Sequence, residues 1–335
     1  HLAFGVTSIF DHATDGSSLF AASELQKRGA IIAPRLFASG DLLSGNSDAQ
    51  PAVTINSLAA AERYAQRQKK QGAFSIISAQ LPRRDQRQQL IAAARLHNLM
   101  VVAAGGGSLP HSLSLIADGY TSLEQAPPQA QLYADVQQFM AGSGVAYTPV
   151  LNDAAGGLSG ASYWYHQSDL GNHPRLGALV PRAALLPFTQ RTLSATEEAP
   201  HHLKLAATAK ALNGWGVLIN SGSQGQREGL ASHWEIWSLV QAGMAPIDAL
   251  ASATINPAIS LGLDEHLGSV EAGKLADLIV ISGNPLSDIR TSEKVRYTVL
   301  GGVVYDAASM NPLTPQSGKR PRLYFEAEES TAKAK

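Results

Sequence analysis

The stretch TINPAISLGLDEHLGSVEAGKLADLIVISGNPLSD, residues 254–288, marks a change of rhythm in the chain. Before it, strand-like runs alternate with helical stretches, ending in helices that start near Ser232 and Pro246. Within and after it, DLIVISG from Asp277 and RYTVLGGVVYD from Arg296 are two strand-like runs without a long helical pattern between them. Alternating strands and helices are the signature of a parallel sheet built from βα units. The closely spaced pair suits a small β domain beside that sheet.

Working towards the N-terminus, seven strands can be marked: GVTSIFDH from Gly5, APRLFASG from Ala33, AFSIIS from Ala73, LMVVAAGG from Leu99, YTSLEQ from Tyr120, VAYTPVLN from Val145 and GVLINSG from Gly216. Between them, Asn56 or Ser57 caps a helix with Leu58, Ala61 and Tyr64 on one face, closed by Gly72. Asp85 opens another through Leu90, Ile91 and Ala94. Leu132, Val136, Phe139 and Met140 form a core-facing stripe stopped by Gly142. Seven parallel strands fall one short of the eight that close a barrel. The expected fold is therefore α/β, a TIM-type (β/α)8 barrel whose first strand lies upstream of His1, with a small flanking β domain. The barrel is expected over residues 1–255, its last helix and part of the β domain over 256–311, and a flexible tail rich in Lys, Glu, Pro and Ser over 312–335.

A chain of 335 residues with 44% hydrophobic content can bury a core of that size. With 26 basic against 27 acidic residues it offers no electrostatic footprint for nucleic acid or an anionic membrane surface. No apolar run is long enough to insert into a membrane, and no basic-then-apolar leader is present. Cysteine is absent, which excludes disulfides and thiolate metal sites and fits an oxidising compartment.

Residues 254–288 resemble the C-terminal signature of the amidohydrolase superfamily, where the chain leaves a metal-dependent barrel for a flanking β domain. HLAFGVTSIFDHATD, AASELQKRGAIIAPRLFASG, LPRRDQRQQLIAAARLHNLMVVAAGGG, IADGYTSLEQAPP and GQREGLASHWEIW resemble, more narrowly, amidohydrolases that follow a TolB-like propeller on one long exported polypeptide. The resemblance implies a periplasmic location and an N-terminal propeller-containing segment, or another chain, as partner. It also implies a hydrolase with one or two divalent metals at the C-terminal mouth of the barrel, held by ligands from several strand ends.

Those ligand positions can be checked singly. The His-x-His pair of the first strand would lie upstream of His1. Ile77 stands where related sequences carry a lysine, and Ala104 where a glutamate or histidine is expected. Gln125 and Gln224 stand where histidines are expected. Aliphatic side chains offer no donor, and neutral amides are poor zinc ligands. The expected metal is none and the expected cofactor is none. The residues imply a degenerate site with weak or absent metal-dependent hydrolysis, retaining small-molecule binding or a structural role. The alternative is an active hydrolase of amide or peptide C–N bonds, using zinc or another divalent ion, with ligands borrowed from upstream or from a partner chain. Glu124 is expected to point to the opposite side of its strand from Gln125.

Other motifs have structural explanations. Asp11-His12 ends the first visible strand, and His12 is a candidate for the mouth. His201-His202 precede a helix and diverge. Ser232-His233-Trp234-Glu235 fits an S-x-x-E capping box, leaving His233 as a further mouth candidate. Gly105-Gly106-Gly107 lacks the partners of a phosphate loop, and Arg83 to Arg87 reads as a solvated helix entry. There is no G-x-S-x-G elbow and no cysteine nucleophile.

Overall fold

A computed structural model describes residues 1–12, 16–44, 55–79, 81–104, 107–154, 159–189, 200–224, 227–323 and 325–326. The strands are β1 (Ser8–Asp11), β2 (Arg35–Ala38), β3 (Leu43–Ser44), β4 (Ser75–Ala79), β5 (Met100–Ala104), β6 (Ser122–Glu124) and β7 (Ala146–Thr148), followed by β8 (Leu278–Ile281), β9 (Val295–Leu300), β10 (Val303–Asp306) and β11 (Pro312–Thr314). The helices are α1 (Gly16–Lys27), α2 (Leu58–Gln71), α3 (Arg84–Leu96), α4 (Leu109–Asp118), α5 (Ala134–Ser143), α6 (Ala161–Gln167), α7 (Pro174–Leu179), α8 (Arg182–Thr189), α9 (His201–Gly214), α10 (Leu230–Gln241), α11 (Pro246–Ala251) and α12 (Ile255–Ser260).

All pairings from β1 to β7 are parallel. β1 pairs with β2, and β3 to β7 form a second run in chain order. The Phe74 amide donates to the Ala38 carbonyl at 2.8 Å, joining the two runs. Tyr147 brackets the next segment, donating to the Leu218 carbonyl and accepting from the Asn220 amide, each at 2.9 Å. The run GVLINSG thus joins the sheet through a single bridge at Ile219 rather than a full strand. β3, which the sequence pattern does not signal, is a two-residue extension held against Ser78 and Ala79. Among the described residues no backbone pairing joins β1 to the Ile219 segment.

Alternation along the strands separates two faces. Ile76, Val101, Ala103, Leu123, Tyr147 and Ile219 belong to the main apolar cluster with Ala61, Tyr64, Leu90 and Ile91 of the covering helices. Ile77, Val102, Ser122 and Ala146, side by side in register, lie on the other face. The four-stranded sheet β11-β10-β9-β8 is antiparallel, as the change of rhythm after residue 254 suggests. β11 lies inside the segment expected to form the tail, and residues 327–335 lie outside the described residues.

Local signals hold in part. The Ser57 hydroxyl accepts from the Ala60 amide, and Gly72, at φ 101°, ends α2, but Leu58 is exposed. α3 begins at Arg84 rather than Asp85. In α5, Met140 is buried and Phe139 is exposed, because neighbouring residues lie about 100° apart around a helix and cannot both face the same core. That helix runs through Gly142 to Ser143 and is closed by Gly144 at φ 71°.

The capping-box reading is overturned. α10 starts at Leu230 after Gly229, so Ser232 and Glu235 sit within the helix. Glu235, 0% exposed, is a clamp: its two carboxylate oxygens accept the backbone N–H groups of Leu151 (3.0 Å) and Asn152 (2.5 Å) in the 3-10 turn that follows β7.

Candidate functional site

His12 and Glu124 meet from distant strands. His12 follows β1 and Glu124 ends β6, with β2, β4 and β5 between them in the order of pairing. Four strand spacings along a flat sheet are about 19 Å. The imidazole Nε2 nevertheless lies 3.5 Å from Glu124 Oε2. Only a strongly curved sheet brings them together, and the contact spans its concave side. That side is therefore the one bearing Ser122, whose hydroxyl donates to Glu124 Oε1 at 2.5 Å. The register sets Ala104, Glu124 and Thr148 side by side at the C-terminal ends of β5, β6 and β7.

Glu124 is a partly buried acid whose carboxyl is shifted towards the ionised form. Burial alone pushes its carboxyl up, but hydrogen bonding and charge from His12, with hydrogen bonds from Ser122 and Thr148, outweigh that and hold it below the usual range. Asp11, next to His12, is shifted the other way: burial raises it against the opposing pull of His12.

Gln125 follows directly but leaves the strand. Its φ is 99°, in the left-handed region, while its amide donates to the Thr148 carbonyl at 2.8 Å. Its side-chain nitrogen donates to the Asp153 carboxylate and to Gln224 Oε1, the latter at 3.1 Å. Because the carboxylate only accepts, the nitrogen of the Gln125 amide must face it. Two features place the partners. The Glu235 clamp fixes the turn carrying Asp153, and Gly222 lets the segment bearing Gln224 approach β7, where a Cβ would come 2.6 Å from Thr148 Cγ2. Gln224 has positive φ as well, at 46°.

Of the sequence candidates, the structure brings Gln125 and Gln224 into contact and sets Ala104 beside Glu124. His12 joins through its pairing with Glu124. Ile77, 3% exposed, lies level with Ser122 on the same face, two residues deeper along the sheet than Glu124. His233 is not part of this group: its Nδ1 meets Ser292 Oγ at 3.1 Å and its Nε2 the Phe4 carbonyl at 2.9 Å. Burial holds that imidazole at about 4, although the bond to Phe4 raises it. His201 and His202 open α9, and His202 is the buried one of the two. His202 Nδ1 accepts from the Gly160 amide at 3.1 Å, and burial lowers this imidazole to about 4 as well.

A divalent ion does not fit these residues. Among the described residues no group of three or more His, Asp or Glu side chains converges as a metal site. The Gln125 N–H donors point into the space between Gln224 and Asp153, and an N–H donor facing a cation is repulsive. His12 is directed at Glu124.

Sequence reasoning missed Glu124 and Asp153. The two-residue alternation of Ser122 and Glu124 was visible, but which face was concave depended on a contact between distant strands. Asp153 carried no motif.

Comparison with known proteins bears on the fold. Residues 205–305 match the Amidohydrolase family. A solved Xaa-Pro dipeptidase with methionine bound in its active site superposes with a TM-score of 0.69 at 20% identity, over 91% of this chain and 77% of that one. Imidazolonepropionase of Symbiobacterium thermophilum is 50% identical over 40 residues, 12% of this chain and 9% of that protein. Adenine deaminase 1 of Carboxydothermus hydrogenoformans is 37% identical over 70 residues, 21% of this chain and 10% of that protein. The matched stretches thus span about a tenth of these two curated relatives.

Proposed function

With the fold of amidohydrolase-type hydrolases and a family match over its C-terminal third as premises, we propose that the strand-end mouth of this TIM-like barrel works without a metal and binds a small molecule. One observation carries the reading: Gln125 bridges Gln224 and Asp153 where the resemblance calls for imidazoles around an ion. An amide keeps hydrogen-bonding capacity but brings no charge to offset dehydration of a metal ion. Metal-activated water is the source of nucleophile in such barrels, so on this reading hydrolysis is weak or absent. A barrel strand preceding residue 1, a TolB-like propeller segment and a periplasmic location belong to the same proposal, supported by the sequence resemblance.

The test is elemental analysis of the purified protein, combined with a screen of amides and dipeptides, including Xaa-Pro dipeptides. Less than stoichiometric zinc, iron and manganese, and no turnover, are expected. Turnover abolished by a chelator and restored by metal would favour the second reading, an active hydrolase of C–N bonds. The family match and the dipeptidase-like fold are what speak for that alternative.

A further inference from the structure

The near balance of charge along the whole chain hides a local excess. Residues 58–97 hold eight lysines and arginines against two acidic residues, Glu62 and Asp85. The pairings from β1 to β7 are parallel, so the helices that lead into successive strands end at one end of the sheet, opposite the strand-end mouth. There α1, α2 and α3 carry basic residues in their last turns: Lys27, Lys69 with Lys70, and Arg95. The exposed Arg28 extends the row from α1. α2 has one of the other two on each side: a Cβ at Gly72 would lie 3.8 Å from Phe20 of α1, and Lys69 Nζ reaches the Asn98 carbonyl after α3 at 3.5 Å.

Helix dipoles alone do not explain the row. Cations complement the negative end of any helix, yet α4, α5, α9 and α10 have none in their last turns. The basic residues are confined to one arc. Two neighbouring acids do not offset it: Glu24 is paired with Lys27 at 2.9 Å, and the buried Asp118 carboxylate is held by Arg84 and Arg87, each at 2.7 Å. Exposed apolar side chains lie among the cations. Leu25 stands in the last turn of α1, Ile31 in the connection to β2, and Leu96, 68% exposed, ends α3 between Arg95 and His97. Trp215, which follows α9 at the same end, is exposed, whereas Trp164, Trp234 and Trp237 are buried.

We propose that this end of the barrel docks on an anionic lipid bilayer, with Lys69, Lys70 and Arg95 drawn to the headgroups and Leu25, Ile31 and Leu96 entering the interface. Each lysine or arginine near a negative lipid surface adds to the attraction, and apolar contact with the headgroup boundary adds a part that salt does not screen. A nucleic-acid backbone would engage the cations but offer nothing to the exposed leucines. Docking in this way turns the mouth, at the other end of the strands, away from the membrane. The inference is independent of whether the mouth holds a metal.

The full chain is mixed with vesicles of phosphatidylglycerol and phosphatidylcholine in equal parts, or of phosphatidylcholine alone, and sedimented. Binding at millimolar lipid is expected for the anionic vesicles only, with tryptophan emission shifted to the blue through Trp215. Salt at about 0.5 M should weaken it at least tenfold. The triple variant Lys69→Gln, Lys70→Gln, Arg95→Gln should bind about 100-fold more weakly, because each cation near such a surface is worth a factor of about five. Leu96→Ser should lose several-fold and keep the salt dependence. All four side chains are exposed, so these variants fold as the parent does, and circular dichroism checks this. No binding to anionic vesicles at about 5 mM lipid, equal binding to phosphatidylcholine, or an unchanged triple variant would overturn the proposal. So would tighter binding to a DNA duplex than to the vesicles, or bound protein with unshifted emission.

Discussion

The α10 corner and the strand-end mouth meet at one turn, Leu151–Asp153, and treat their polar groups in opposite ways. At the corner, Trp164, Trp234 and Trp237 pack on one another and on His202 and His233, and Arg290 lies 4.6 Å and 4.7 Å from the Trp164 and Trp237 ring centroids. Glu235 and His233 are spent on backbone and scaffold partners. At the mouth, an amide, another amide and a carboxylate bond to one another in reach of solvent. The family match over residues 205–305 contains α10 and, of the mouth, Gln224, but not His12, Ile77, Ala104 or Gln125. Likeness concentrated in the scaffold is evidence about the fold, and the chemistry has to be argued from the mouth.

The comparison breaks most sharply if the mouth can regain a metal while the corner stays as it is. Gln125 and Gln224 are in contact and Gln125 touches Asp153, so the double variant Gln125→His, Gln224→His offers two imidazoles and a carboxylate, the donor number of a catalytic zinc site. One zinc per chain with micromolar affinity is expected, about 8 kcal/mol of binding free energy, measured by elemental analysis and competition with a chromogenic chelator. Failure of the variant to take up zinc would mean that the mouth has lost the geometry as well as the donors.

Next in size is the contrast in stability. Trp234 is 0% exposed at the centre of the corner, and Trp234→Ala is expected to cost about 3–5 kcal/mol in denaturant unfolding. A change below about 1 kcal/mol would show that the corner is not the scaffold it is argued to be.

The corner also predicts a pH signature of its own. His202 and His233 are held at about 4 against an ordinary 6.5, so the unfolded chain takes up protons first and stability is lost as pH falls from about 6.5 towards 4. Glu235 is raised to about 8 from 4.5, by burial first and by Asp153, against its two backbone donors. Its contribution is complete below about 4.5 and is lost as pH rises through 8. From these three groups, stability peaks near pH 6.5, with limbs of roughly 1.4 kcal/mol per pH unit per net proton. Glu235→Gln should flatten the alkaline limb from pH 6.5 to 8 and leave the acid limb standing, as read from chemical denaturation at a series of pH values. Two unchanged limbs would sink the assignment.

Much of the scaffold was legible in the sequence because its signals are local. Strand-like runs such as AFSIIS and LMVVAAGG, the Ser57 cap and the Gly72 stop depend on neighbours within a few residues. The errors arose where a local pattern met a distant partner. The spacing of Ser232 and Glu235 fits a helix start, yet the Glu235 carboxylate is used by Leu151 and Asn152. Alternation requires Glu124 to face away from Gln125. What alternation could not supply was which face is concave, since that follows from His12 on a strand four places away.

The smallest expected effect concerns backbone at the mouth. Gln125 and Gln224 both occupy the left-handed region, at φ 99° and 46°, where a side chain with a Cβ costs of order 1 kcal/mol or more and such strain gathers at ligand sites. Gln125→Gly relieves that cost but gives up the amide bonds to Asp153 and Gln224, which lie in reach of solvent and are each worth about 0.5–1.5 kcal/mol. Gln125→Ala gives up the same bonds and keeps the strain. The glycine variant should therefore be the more stable of the two by roughly 1 kcal/mol and lie within about 1 kcal/mol of the parent, as read from paired unfolding curves. Equal stability of the two variants would mean that the turn at Gln125 is not held against its own preference. The mouth would then lack the backbone strain that separates it from the relaxed helix of the α10 corner.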